Sequence, residues 1–235
     1  MTERPAERGS YHHGALPEAL VGAAFELLDE RGQEKVTMRE VARRAGVSPG
    51  APFRHFADRR ALMTAVADRA LADFERWQRA EMAAAAGADP VAGAGADPAT
   101  DPAAGAGAGP ATGAGTGPGD QRAVLRAIGL GFVRYAIRYP HRFALVRSRV
   151  FAPSPQPELL ERLSGIDRAY TEVIVADQAA GLLRPGDPAL VGLAGQALVY
   201  GLAQMIVDGY LPAEKAEEVV AQVLDTFGRG VANPR

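Results

Sequence analysis

Apolar residues recur every three or four positions along most of this chain, and that period predicts helices. Leu20, Ala23, Ala24, Leu27 and Leu28 form one stripe on a helix from about Leu16 to Glu30, closed by Arg31-Gly32. Met38, Val41, Ala42 and Ala45 form a second, shorter stripe that the Thr37 hydroxyl can cap. Gly46 then ends that helix, because glycine takes positive φ without steric cost, and Val47 follows as an apolar plug under the turn. Ser48 and Pro49 begin another helix, to about His55. A serine hydroxyl caps well, and proline in the first helical position lacks only an amide hydrogen that would be unpaired there anyway. Two short helices joined by a glycine turn are helix-turn-helix grammar.

A third capped start at Asp58 opens a long helix, with Leu62, Val66, Ala70, Phe74 and Trp77 in one stripe to about Met82. Residues 83–119 change character: Ala, Gly, Pro, Asp and Thr dominate without apolar period, which predicts a disordered insertion. The period resumes at Gln121 with Leu125, Ile128, Phe132, Tyr135, Ala136 and Tyr139, and Pro140 stops it. Another helix carries Leu160, Leu163, Ile166, Tyr170, Val173 and Ile174 to about Ala180.

Asp187-Pro188 starts a helix that is apolar on nearly every side from Leu190 to Val207. It is almost long enough to span a membrane, but Gln196, Gln204, several glycines and Asp208 argue against lipid. Burial against both its own domain and a second subunit explains the pattern better, with Gly192, Gly195 and Gly201 permitting close approach. The last helix, from about Ala213 to Gly228, turns Ala216, Val220, Val223, Leu224 and Phe227 inward. With its predecessor it forms half of a four-helix dimer interface. The expected fold is all-α: a flexible arm at 1–14, a three-helix helix-turn-helix domain at 15–60, and a helical regulatory and dimerisation domain at 61–235.

Charge sharpens the first half of that picture. The whole chain carries −2, yet Thr37 to Ala61 holds six arginines against two acids, as a phosphate-binding face requires. The alternative is an ordinary solvated helix pair that the arginines keep soluble. No cysteine is present, which removes disulfides, thiolate catalysis and sulfur-bound zinc. Met1 to Gly14 lacks the apolar run of a signal peptide, so a cytoplasmic protein is expected. His12 and His13 have no third ligand at a suitable spacing, so no metal is expected. With no G-x-S-x-G and no Walker loop, neither catalytic residues nor a cofactor are expected, and the chain reads as a binding protein rather than an enzyme.

The succession of a leading helix, T-M-R-E-V-A-R-R-A-G-V-S, and F-R-H-F-A-D-R-R-A-L resembles the N-terminal DNA-binding domain of TetR-family transcriptional regulators, over about Tyr11 to Ala70. The Tyr11-His12-His13-Gly14 arm resembles one subgroup of that family. The sequence departs from the family pattern at Phe53, where a tyrosine is usual, at Pro52, and at Arg59-Arg60 in place of Lys-acid. The resemblance implies a homodimer on a palindromic double-stranded DNA operator, repressing transcription until a small molecule binds its C-terminal domain. It implies phosphate contacts from Thr37, His55 and Arg59. Base or groove contacts would come from Pro49, Gly50, Ala51, Phe53 and Arg54, with Ser48 at the helix start and Arg43 as a further contact. An alternative keeps the helical dimer as a protein-interaction module with vestigial DNA binding, for which the missing Phe53 hydroxyl is the best support.

An effector pocket lined by Trp77, Phe132, Tyr135, Phe143, Tyr170 and Tyr200, with Gln178 and Gln204 as further polar selectors, is the expectation for the second half. The same aromatic set reads equally well as plain core.

Overall fold

The computed structural model describes residues 15–85, 118–153 and 156–232; the Tyr11–Gly14 arm and nearly all of the 83–119 insertion lie outside them. Helix α1 runs over Ala15–Arg31, α2 over Met38–Arg44, α3 over Arg59–Ala85 and α4 over Pro118–Arg138. Then follow α5 at Pro140–Val150, α6 at Pro157–Ala179, α7 at Pro188–Val207 and α8 at Ala213–Val231. The chain separates into two compact units between Val66 and Ala67, so α3 contributes residues to both.

The first unit is built as its stripes require. Leu20, Ala24, Leu27 and Leu28 of α1 are fully buried, as are Val41 of α2 and Leu62 and Val66 of α3. Two start signals and two stops act locally. The Thr37 hydroxyl accepts from the Glu40 amide at 3.2 Å, and an Asp58 carboxylate oxygen accepts from the Ala61 amide at 2.7 Å. Gly32 and Gly46, at φ 74° and 68°, close α1 and α2 in the left-handed region. The Val47 amide then reaches back to the Ala42 carbonyl at 2.9 Å, completing the Gly46 turn.

In the second unit α4 is central and has two apolar faces. Leu130, Val133 and Ala136 pack into a core with Phe143, Val199, Leu202, Ala203, Ile206, Ala216 and Val220. Its other face, carrying Leu125, Ile128 and Phe132, lines a cavity. Pro140 starts α5 one residue after Tyr139, and the Asp187 carboxylate caps α7 through the Ala189 amide at 2.9 Å. On α6 the buried leucine is Leu159, while the expected Leu160 is exposed. Of the α7 glycines, Gly192 faces Ile174 of α6, Gly195 faces Phe227 of α8, and Gly201 has open space beside it.

Helix α7 is long and apolar enough by length and composition to cross a membrane. Its Val199, Leu202, Ala203 and Ile206 are buried in the core of the unit, whereas Leu190, Leu193 and Met205 are exposed.

Candidate functional site

The second reader helix expected at Ser48–His55 is replaced by a turn and a short 3-10 segment, Pro52–Arg54. The reason lies in Pro52. An α-helix starting at Ser48 would take its first ladder bond from the amide of position 52 to the Ser48 carbonyl, and proline has no hydrogen to give. The Ser48 carbonyl accepts instead from Ala51, three residues on, at 2.9 Å, and Arg54 and His55 likewise bond three residues back. The expected Ser48 hydroxyl cap does not form.

Around this turn Thr37, Ser48, Pro49, Gly50, Phe53, Arg54 and His55 are exposed. Phe53 is 57% exposed, so its ring stands on the same surface as these polar side chains. Arg39 and Arg54 are exposed and make no ion pair or side-chain hydrogen bond among the described residues. Ala51 is an exception to the expected contact set: it is buried with Pro52, so its methyl group belongs to the core under the turn and not to a reading surface.

The remaining arginines are tied up to different degrees. Arg59 donates to the carbonyls of Val36, at 2.6 Å, and Gln33, so its guanidinium fastens the start of α3 to the loop before α2 instead of projecting toward phosphate. Arg43 bonds to Glu40 yet stays 67% exposed, leaving its outer edge available. Arg44 is held by Glu30 at 2.7 Å and by Glu26 at 3.1 Å. Hydrogen bonds from Arg44 and Arg43 respectively hold the Glu30 and Glu40 carboxyls below their usual range.

The second unit holds a cavity of about 540 Å³, within the range of small-molecule sites. Phe132, Tyr135, Phe143, Tyr170 and Tyr200 are among the residues lining it. Three expected residues do not line it. The Trp77 indole donates to the Gly131 carbonyl at 2.9 Å and lines a separate surface groove. Gln178 donates to the carbonyls of Arg184 and Gly186, fastening the turn before α7, and Gln204 donates to Asp208 at 2.7 Å. These amides satisfy backbone and helix-end groups, a task that helical spacing alone does not reveal.

Gln78, by contrast, lines the cavity although the apolar pattern does not single it out. It continues the Ala70–Phe74 row by one further turn, and that row faces the cavity. Its amide donates to the Ile128 carbonyl at 3.1 Å and to the Tyr170 hydroxyl at 3.0 Å. Burial pushes the Tyr170 phenol up to about 12, so it is neutral at physiological pH. The Tyr135 hydroxyl lies 3.1 Å from the Ala70 carbonyl and 3.4 Å from the Asp73 carboxylate, both on α3. Among the described residues no cluster of three or more His, Asp or Glu side chains could hold a metal ion.

Residues 20–66 match a family model described as bacterial regulatory proteins, tetR family. Residues 125–227 match a tetracyclin repressor-like C-terminal domain. A stretch of 57 residues is 40% identical to the Tetracycline repressor protein class A from transposon 1721 of Escherichia coli, covering 24% of this chain and 26% of that protein. The chain therefore spans about a quarter of the length of the curated relative it matches. A protein of unknown function from Rhodococcus sp. RHA1 superposes with a TM-score of 0.71 at 28% identity, over 97% of this chain and 100% of that one. A putative TetR-family transcriptional regulator from Rhodococcus sp. gives 0.60 at 20% identity, over 91% and 98%. The crystal structure of a TetR variant from Acinetobacter baumannii AYE, in complex with minocycline, gives 0.54 at 17%, over 94% and 96%.

Proposed function

The chain belongs to the TetR family of bacterial regulatory proteins, and from that premise we propose that it is a DNA-binding transcriptional regulator. It acts in the cytoplasm as a homodimer that represses its target genes until a small molecule enters the cavity. The observation that carries this reading is the exposed turn behind a capped helix, with Arg39 and Arg54 unpaired among the described residues on a locally basic stretch. Thr37 and His55 contact phosphate, with Arg43 beside them, while Ser48, Pro49, Gly50, Phe53 and Arg54 meet the groove. Arg54 is the one residue of that set able to bond guanine bidentately.

The exposed apolar row of α7, with Leu190, Leu193, Ala197 and Met205, supports dimerisation through the last two helices. A two-fold dimer reads a roughly palindromic operator, its half-sites about 34 Å or a multiple apart. Tyr135 supports a route for regulation, because it lines the cavity and its hydroxyl reaches Ala70 and Asp73 of α3. A ligand on Tyr135 shifts DNA affinity only through a difference in its affinity for two states of the protein, typically ~1–3 kcal/mol.

Binding to duplex DNA between low and moderate salt tests the DNA reading. Affinity falls steeply as salt rises if phosphates are neutralised, and a flat response removes the claim. A second reading, a helical dimeric interaction module with vestigial DNA binding, is favoured by the missing Phe53 hydroxyl and by the 3-10 segment at the reader turn. Its prediction is the absence of any preferred DNA sequence.

A further inference from the structure

The cavity wall is mostly hydrocarbon and aromatic, so its few polar groups decide what it can hold. Five of them carry charge. Arg126 donates to Asp225 at 2.9 Å, Asp167 accepts from Gln196 at 3.0 Å, and Arg229 donates to the Thr226 hydroxyl at 3.0 Å. Arg147 alone of the five has no ion pair or side-chain hydrogen bond among the described residues. It is exposed at the rim, one helical turn before Phe151, whose ring meets Tyr200 at 5.7 Å.

On the neighbouring α3 and α6 wall, the unpartnered Oε1 of Gln78 is turned to Gly131, which does not line the cavity, and the group left facing the cavity is the Tyr170 hydroxyl. The Ile128 carbonyl only accepts, so it fixes the Gln78 side chain with its NH2 toward Ile128 and Tyr170. The Tyr170 oxygen is thereby an acceptor, and its hydrogen has no acceptor among the described residues. Arg147 and Tyr170 thus both offer hydrogens without receiving a partner. A cavity with spare donors selects a ligand with acceptors, and a guanidinium at its rim selects a negative one.

We propose that this cavity takes an apolar organic acid, with its carbon body against the Phe132, Phe143 and Tyr200 walls, its anionic group on Arg147, and an oxygen acceptor facing Tyr170. This rests on reading the cavity as the effector site, and narrows that site to one chemical class. A cationic ligand seated along the same walls sets its charge against Arg147, while Asp167, the carboxylate of the lining without an ion pair among the described residues, is held by the Gln196 amide.

Two fluorescent probes of similar shape test it on the full chain: anionic anilinonaphthalene sulfonate and uncharged phenylnaphthylamine. The parent binds the anion about tenfold or more tighter than the neutral probe, as a charge-assisted hydrogen bond provides. Arg147→Gln abolishes that preference and leaves the neutral probe unchanged, while Arg147→Lys keeps most of it; melting curves verify that each variant is folded. Equal or better binding of the neutral probe by the parent, or an unchanged preference in Arg147→Gln, overturns the assignment. Gly195→Phe, which fills the cavity from α7, separates the two claims. If it leaves both probes bound as before, or if the parent binds neither, the cavity is not the binding site and the effector reading falls first.

Discussion

Arg142 of α5 places its guanidinium on the carboxylate of Asp73 in α3, with both side chains almost wholly buried. Asp73 also receives Arg76 at 2.8 Å, and the Arg142 guanidinium lies over the Tyr139 ring at 3.9 Å from its centre. Within the second unit, this pair fastens α3, which borders the cavity, to α5. Removing Arg142 leaves the buried Asp73 carboxylate with the half-exposed Arg76 as its ion-pair partner, so Arg142→Ala lowers stability by up to about 3 kcal/mol, the low end for breaking a buried pair. The Asp73→Asn, Arg142→Met double variant recovers part of that loss, because the buried carboxylate loses its charge together with its buried partner. Urea unfolding of the two variants beside the parent checks both statements.

The turn between α2 and Ser48 depends on one backbone conformation. Gly46 sits at φ 68° with open space around a would-be Cβ, so alanine there meets strain and not a clash. Gly46→Ala costs about 1–2 kcal/mol, and Gly46→Asn costs less, since asparagine visits this region more readily. Gly50→Ala is the control: it also has open space and its φ is not in the left-handed region. Its stability stays within about 0.5 kcal/mol of the parent in the same denaturation experiment.

Acid loosens the first unit through the Arg44–Glu30 and Arg43–Glu40 pairs. Both carboxyls titrate below the unfolded value of 4.5, so their stabilisation is fully present above that pH and is lost as pH falls through the lower folded values. Thermal melts from neutral pH downward show the midpoint dropping below about pH 4.5, with a smaller drop in high salt, because both pairs face solvent. Arg44→Gln flattens the acid limb and leaves a shallower slope from Glu40.

Local signals in the sequence carried most of the fold. Thr37, Asp58 and Asp187 each cap the helix they precede, Gly32 and Gly46 stop the helices before them, and Pro140 ends α4 and opens α5. What the spacing misjudged were side chains with partners distant in sequence. Arg59 reaches Gln33 and Val36 more than twenty residues back, and Trp77 reaches Gly131 across the insertion. The reader helix failed for a local reason that was visible. Pro52 falls where the first ladder bond of a helix begun at Ser48 would form, and a proline there removes it. The cavity was half legible, because aromatic rows announce an apolar wall, whereas the roles of Gln78 and Arg147 follow only from which neighbours are left unpaired.

In the function proposed above, Ser48 to His55 reads DNA sequence. Selecting bound fragments from random duplex DNA tests it most directly, with Arg54→Ala run beside the parent. An enriched palindrome with half-sites one or more helical turns apart is the predicted result for the parent. Arg54→Ala loses ~1–3 kcal/mol of discrimination at one base pair in each half-site, with its other preferences intact. No enriched sequence for the parent rules out sequence reading by this stretch and favours the protein-interaction module.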